Sequence, residues 1–456
     1  MKYIKMLKNL YQLKRNTKKA PRQIQKLQKE KLQSLLAYSY KHSCYYRRTF
    51  EEAGITAENI GCTPLSSFPT IDKAQLFKHF DELVTVSDLN QKELRRFDTE
   101  ESIDKKAFKG KYHIVHSSGS TGRPAYFVYD EQAWQTMLLG IIRGALWDMS
   151  MPQIIKLLAR GPHIVYIAAT DGRYGGAMAV GDGIDGVGAK QMYLDVKTPL
   201  GEWIRQIREF RPNIVIGYPS AIKILAELLE NGEIEMKVFR VISCGEPLGS
   251  SLRGYLETVF HTPVINIYGA SESLSLGVET NPKEGMYLFD DMNIIEIADG
   301  KMYLTCLYNF AQPLIRYRLS DSLTLQEPNP DGRYPFTKAV GLLGRNEDLL
   351  WFEDKAGNRE FLHPLAIEGF CIEGLLDYQF RQLSKDSFEM LAEISEGASE
   401  FSIRKEMLIQ MKKILNEKGL EYVKFLINFV DKIAPNPKTG KKQLILPNLP
   451  KEREAV

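Results

Sequence analysis

Through the middle of the chain, short apolar runs alternate with longer amphipathic ones. Ile154–Leu158, Ile164–Ala168, Ile214–Gly217, Val238–Cys244 and Val264–Tyr268 are nearly continuous in apolar residues, as strands buried on both faces are. Between or after them, Leu200–Glu209, Ser220–Leu229 and Ser250–Val259 repeat apolar positions every three or four residues, which predicts helices, the second with Ser220 as its N-cap. Strand and helix in alternation predict βαβ crossovers and a largely parallel sheet, because parallel neighbours need a crossover to be joined. Ligands of such sheets gather at the loops leaving the strands' C-terminal ends.

The rhythm changes near Gly341–Glu347. Hairpin-like strands follow, then a helix over Ser402–Lys418 and a strand, Tyr422–Val430, in which Val423, Phe425, Ile427 and Phe429 alternate. At the other end Leu27–Tyr40 reads as a helix, and Phe50–Phe68 as a turn-rich segment around Gly54, Gly61 and Pro64. The chain thus divides into a basic helical arm (1–40), a large α/β domain with mostly parallel sheets flanked by helices (41–344) and a small, mobile α+β domain (345–456). A length of 456 residues exceeds what one hydrophobic core usually supports, in keeping with this division.

Composition narrows the function classes. Apolar content of 44% and charged content of 26% are ordinary for a globular protein, and no run of about 18 apolar residues could span a membrane. The lysine-rich start lacks the apolar core and cleavage site of a secretory signal, so the expected location is the cytoplasm. Five cysteines, odd in number and without CxxC spacing, argue against a disulfide framework and a zinc knuckle. The seven histidines show no HxxxH or HExxH spacing; His116 is placed best to meet a ligand.

The net charge of +3 hides an asymmetry: between Lys2 and Lys31 eleven basic residues meet a single acid, Glu30. Ile4, Leu7, Leu10 and Tyr11 fall there at helical spacing. The arm is either a solvated helix packed on its own domain or a surface for an anionic membrane or an acidic carrier protein. No nucleic-acid partner is expected, and the assembly is a monomer or homodimer.

The chemistry is concentrated in a few motifs. Ser117-Ser118-Gly119-Ser120-Thr121-Gly122-Arg123-Pro124 follows the β-prone stretch Tyr112–Val115. Its glycines let backbone N–H groups turn inward and its hydroxyls add donors, so it suits a polyphosphate. A Walker A motif is excluded, since Gly122 is not followed by Lys and Ser or Thr. Val264–Tyr268 runs into Gly269-Ala270-Ser271-Glu272, where an aromatic ring can stack on a purine, a hydroxyl can meet phosphate and a carboxylate can hold Mg²⁺. The strand-like Pro313–Arg318 ends in Leu319-Ser320-Asp321, a carboxylate suited to a ribose diol. Gly344-Arg345-Asn346-Glu347-Asp348 and Pro437-Lys438-Thr439-Gly440-Lys441-Lys442 complete the set. Arg173, Tyr174, Tyr218 and Cys244 are candidates for lining a substrate pocket.

In this order and at these separations the motifs resemble those of the adenylate-forming superfamily of acyl-CoA synthetases and ligases, and within it the phenylacetate–CoA ligase, CapK-like and coenzyme F390 synthetase-like group. The likeness covers nearly all of the chain after the basic arm, including Phe68-Pro69-Thr70-Ile71-Asp72-Lys73 and Gly217-Tyr218-Pro219-Ser220. It implies that a carboxylic acid, aryl or aliphatic, attacks ATP to give an acyl-AMP and pyrophosphate, and that the acyl group then passes to an acceptor. Carried over motif by motif, Ser117 to Gly122 hold the β- and γ-phosphates, and Tyr268 lies beside adenine with the Gly245-Glu246-Pro247 turn and Gly269-Ala270. Ser271 meets the α-phosphate, Glu272 ligates Mg²⁺, and Asp321 with Arg345 holds the ribose. Lys441 is the small-domain catalytic lysine and Glu347 the hinge, where the family commonly has Asp or Lys. After the hinge, Asp354–Asn358 reads as a hairpin turn in place of a short glycine loop. The acceptor stays open among CoA, a carrier-protein phosphopantetheine, an amine or hydroxyl, and F390-type transfer that keeps AMP; a non-catalytic nucleotide-binding homologue is the remaining alternative.

Overall fold

The structure, a computed structural model, describes residues 2–99, 107–116, 125–159, 161–168, 189–246, 248–281, 283–319, 321–329, 332–343, 350–353, 357–362, 367, 370, 372–433 and 444–446. Its centre is a nine-stranded sheet, in spatial order Ser322–Gln326, Lys338–Leu343, Met286–Leu288, Ser273–Glu279, Val264–Ala270, Arg240–Cys244, Ile214–Gly217, His163–Ala168 and Lys190–Asp195. The last five are mutually parallel; four of them are the apolar runs read as strands, and Lys190–Asp195 is a strand that the sequence reading did not include. From Val264–Ala270 onward the pairing turns antiparallel: Ser273–Glu279 and Met286–Leu288 follow through short connections with no helix between, and Lys338–Leu343 and Ser322–Gln326 complete that edge after the three-stranded sheet has formed. Chain order reverses at His163–Ala168, whose neighbours are Lys190–Asp195 and Ile214–Gly217. That switch opens a crevice at the strands' C-terminal ends, where Tyr218 leaves the sheet.

Three sequence expectations fail locally. Ile154–Leu158 lies in a helix, Met151–Ala159, not a strand. The Gln153 side chain accepts from the Ser150 backbone N–H at 2.7 Å and closes the first turn, and Ile154 is buried while Ile155 is 62% exposed. Run length alone cannot separate a short buried helix from a strand. The expected strand Pro313–Arg318 shrinks to Tyr317–Leu319, since Arg316 holds a left-handed φ of 49° that breaks an extended run. Ser220 is not the N-cap; the helix starts at Pro219 behind Tyr218, and its N-terminus is satisfied by Glu246, which accepts from Ser220 N at 3.2 Å and Oγ at 2.7 Å.

The amino-terminal helices, Lys2–Asn16 and Pro21–His42, are clamped to this body. Arg143, on the helix Glu131–Ala145, pairs with Asp291 through two bonds of 2.6 and 2.9 Å, both side chains fully buried. Asn16 donates to the same carboxylate at 2.7 Å and Lys31 to the Asp291 carbonyl at 2.5 Å. Lys14 reaches the carbonyls of Leu146 and Met149 at 2.6 and 2.7 Å, and its burial lowers its pKa to about 8. Burial alone would raise the Asp291 pKa, but Arg143 holds it below the usual range.

Beyond residue 350 a second core forms, in which Phe380, Phe388, Met390, Met407 and Met411 pack between a four-stranded sheet and the helix Glu400–Glu417. The predicted hairpin is present: Leu350–Glu353 pairs with Arg359–Leu362, Glu353 opposite Arg359. It joins two cores, since Phe352 and Leu362 pack in the second while Phe361 packs edge-on to Trp203, 5.5 Å between centroids, in the first. Buried Lys418 donates to Glu360 Oε1 at 3.0 Å and to the Thr198 carbonyl at 2.9 Å. Glu360 Oε2 accepts from Leu200 N at 2.7 Å, at the start of the helix Leu200–Phe210. Among the described residues no helix is long and apolar enough to cross a membrane.

Candidate active site

The strand Val264–Ala270 is the last parallel strand and carries its motif just beyond the sheet. Gly269 is required by contact: a Cβ there would lie 2.5 Å from the Leu274 carbonyl oxygen, in the tight return to Ser273–Glu279. Tyr268, only 8% exposed, donates its hydroxyl to Asp321 Oδ2 at 2.8 Å. Two of the expected nucleotide-binding motifs therefore meet directly, although Asp321 follows an edge strand of a different, three-stranded sheet.

Ser271 and Glu272 sit on the same turn. Ser271 donates to the His116 carbonyl at 3.3 Å, and the Ser271 carbonyl accepts from the Tyr129 hydroxyl at 2.9 Å. His116 ends the strand Tyr112–His116 and Tyr129 lies in Tyr126–Asp130; the two strands pair as a hairpin with His116 opposite Tyr126. The hairpin that carries the Ser117–Gly122 motif is thus rooted on the turn that carries Ser271. Ser117, Ser118, Gly119, Ser120, Thr121 and Gly122 themselves, with Tyr174, Pro247, Arg345, Glu347 and Lys441, lie outside the described residues.

Burial pushes the Glu272 carboxyl up to about 7; Asp321 adds to the rise, and a hydrogen bond from Tyr317 and the charge of Lys73 oppose it. Among the described residues no group of three or more His, Cys, Asp or Glu side chains could hold a metal alone. A cation at this turn would find in Glu272 one protein ligand and would need others from outside the protein, such as the phosphate oxygens that Mg²⁺ takes.

Tyr218, Cys244, Gly245 and Glu246 stand at the C-terminal ends of the two neighbouring parallel strands. Gly245 has φ +81°, and a Cβ on it would stand 2.6 Å from the Tyr218 ring, so conformation and contact both demand glycine. The Tyr218 ring covers that backbone. Burial pushes the Cys244 thiol up to about 12, which excludes it as a thiolate nucleophile near neutral pH.

Sequence reasoning gave no role to Tyr129, Tyr317 or Lys73. The last two come together because Ile71 bridges to Tyr317, with Ile71 N donating to Arg316 O at 3.1 Å and Arg318 N to Ile71 O at 2.8 Å. The Phe68–Lys73 motif was visible, but only this bridge brings it to Glu272.

No family model matches the chain. Phenylacetate-coenzyme A ligase of Thermus thermophilus is 25% identical over 401 residues, 81% of each chain. Protein CapK of Staphylococcus aureus is 22% identical over 447 residues, 93% of this chain and 89% of its own. Among solved structures, 2-hydroxyisobutyryl-CoA ligase, in complex with 2-HIB-AMP and CoA in its thioesterification state, shares the fold with a TM-score of 0.61 at 18% identity, over 95% of this chain and 91% of that one. The same enzyme in its postadenylation state gives 0.54 at 18% identity, over 96% and 92%. Over most of its length the chain is thus similar to phenylacetate–CoA ligases and to CapK, and its fold is the one seen in the adenylate-forming 2-hydroxyisobutyryl-CoA ligase.

Proposed function

We propose that the protein activates a carboxylic acid with ATP as an acyl-AMP, releases pyrophosphate, and passes the acyl group to the thiol of CoA or of a carrier-protein phosphopantetheine. The observation that carries this reading is the Tyr268–Asp321 hydrogen bond, which brings two nucleotide motifs to the strand end where the Ser117–Gly122 hairpin is also rooted. Phenylacetate–CoA ligases among the relatives support CoA as the acceptor.

In the first step a carboxylate oxygen of the acid bonds to the α-phosphorus, and the bond to the bridging oxygen breaks with its electrons leaving on pyrophosphate. Such chemistry depends on positioning and charge neutralisation. Ser117 to Gly122 would grip the departing β- and γ-phosphates, Ser271 the α-phosphate, and Asp321 with Arg345 the ribose. Adenine would lie against Tyr268 and the Gly245–Pro247 turn. Lys441 would bring positive charge to the α-phosphate from the small domain. Glu272 would hold Mg²⁺, which when bound offsets the polyphosphate charge. In the second step the thiol sulfur bonds to the acyl carbon, the bond from that carbon to the phosphate oxygen breaks with its electrons leaving on AMP, and the thiol proton passes to solvent. Tyr218, Cys244 and Tyr174 would line the acid's pocket.

Pyrophosphate exchange with a panel of acids tests the first step. Labelled ATP that forms only with one acid present supports it, and ATP binding without exchange for any acid would leave a nucleotide-binding homologue instead. Adding CoA should then give a thioester; an acyl product on an amine or hydroxyl alone would overturn the acceptor.

A further inference from the structure

The amino-terminal helix Lys2–Asn16 has one side committed to the fold and one side free of it. Leu10 is 4% exposed and Lys14 is held by backbone carbonyls, which fixes the inner side. At about 100° per residue, Leu7, Lys8, Tyr11 and Arg15 fall within roughly 100° of arc that begins beside Lys14 and runs away from Leu10. Leu7 is 45% exposed and Tyr11 52%, and Lys8 and Arg15 are exposed beside them. In the following turn and helix Lys18, Arg22, Lys26 and Lys29 are exposed as well.

Charge is segregated on this region. Residues 1–29 hold ten basic side chains and no acid; since the whole chain is +3, the rest of it sums to −7. The most exposed apolar residue, Phe401, lacks such a setting: it stands on a helix carrying Glu400, Arg404, Lys405 and Glu406, charges of both signs.

We propose that this face docks on an anionic lipid surface, with Leu7 and Tyr11 entering at headgroup depth and Lys8, Arg15 and Lys18 meeting the lipid anions. Two apolar side chains one turn apart, rimmed by charge of a single sign, are what an interfacial helix needs. Charge of one sign would also suit an acidic protein; the two exposed apolar side chains standing within it are what favour a lipid surface. The inference does not depend on the proposed ligase activity.

The test is co-sedimentation of the full-length protein with vesicles of phosphatidylcholine alone and of phosphatidylcholine with about 30% phosphatidylglycerol. Binding should favour the anionic vesicles at least about tenfold and weaken with salt, as screened attraction does. Leu7→Ser with Tyr11→Ser, and separately Lys8→Glu, Arg15→Glu and Lys18→Glu together, should each abolish it while leaving the melting temperature unchanged, because these side chains are exposed. Inorganic phosphate at millimolar concentration should not compete. Equal binding to both vesicles, no binding to either, wild-type binding by both variants, or displacement by phosphate would each overturn the proposal. So would capture by an acidic carrier protein in the absence of any vesicle binding.

Discussion

The Tyr268 hydroxyl and the Asp321 carboxylate are bound at 2.8 Å, although 53 positions separate them in the chain. The bond ties the end of the last parallel strand to the segment after Tyr317–Leu319 and fixes the carboxylate expected to hold ribose. Tyr268→Phe keeps the ring and removes only the donor. Leaving a shielded carboxylate without its partner costs about 1–2 kcal/mol, so KM for ATP should rise roughly 5- to 30-fold with a smaller change in kcat. An unchanged KM would mean that the bond does not position Asp321.

Lys441→Ala addresses the small domain's part in the chemistry. Acid-dependent pyrophosphate exchange should fall at least about 100-fold while ATP affinity, measured by calorimetry, stays close to wild type. Wild-type exchange in this variant would remove Lys441 from the mechanism.

Arg143→Met leaves Asp291 buried with a charge that Asn16 and Lys31 only partly meet. Breaking such a pair costs about 3–5 kcal/mol, which a urea titration will read as a lower midpoint. Cleavage by trypsin should then begin within residues 1–31, because Asp291 also holds the two amino-terminal helices.

Asp290 gives a pH dependence. Burial pushes its pKa up to about 7, although the Thr337 N–H donates to it at 2.6 Å. A carboxyl whose folded pKa lies above its unfolded value favours the fold below the unfolded pKa, and that contribution is lost as pH rises through about 7. Melting temperatures at pH 6 and pH 8 should therefore differ by less in Asp290→Asn than in the wild type. An equal difference in both proteins would assign the dependence to another group.

Lys418→Met leaves Glu360 buried against the start of the Leu200–Phe210 helix with its Leu200 N–H bond but no cation. The melting temperature should drop markedly, and Glu360→Gln in the same chain should recover much of the loss, since the uncompensated charge disappears. A double variant no more stable than the single one would show that the pair is not coupled.

Four of the five parallel strands, the hairpin around Asp354–Asn358 and the helix and strand beyond residue 400 were legible in the sequence, because local periodicity records which face of an element is buried. The motifs expected to meet phosphate, ribose and metal stand out in the sequence as residue types suited to those ligands. Tertiary structure alone decided that Ile154–Leu158 coils into a helix, that Glu246 and not Ser220 completes the Pro219 helix, and that Lys14 and Lys31 turn inward from a basic arm. It also decided that Tyr268 meets Asp321 and that Tyr317 and Lys73 reach Glu272. The physical reason is the same in each case: periodicity says that a side chain is covered, while hydrogen bonds and charge pairs between distant segments depend on which strands become neighbours, and that is settled only when the whole sheet has assembled.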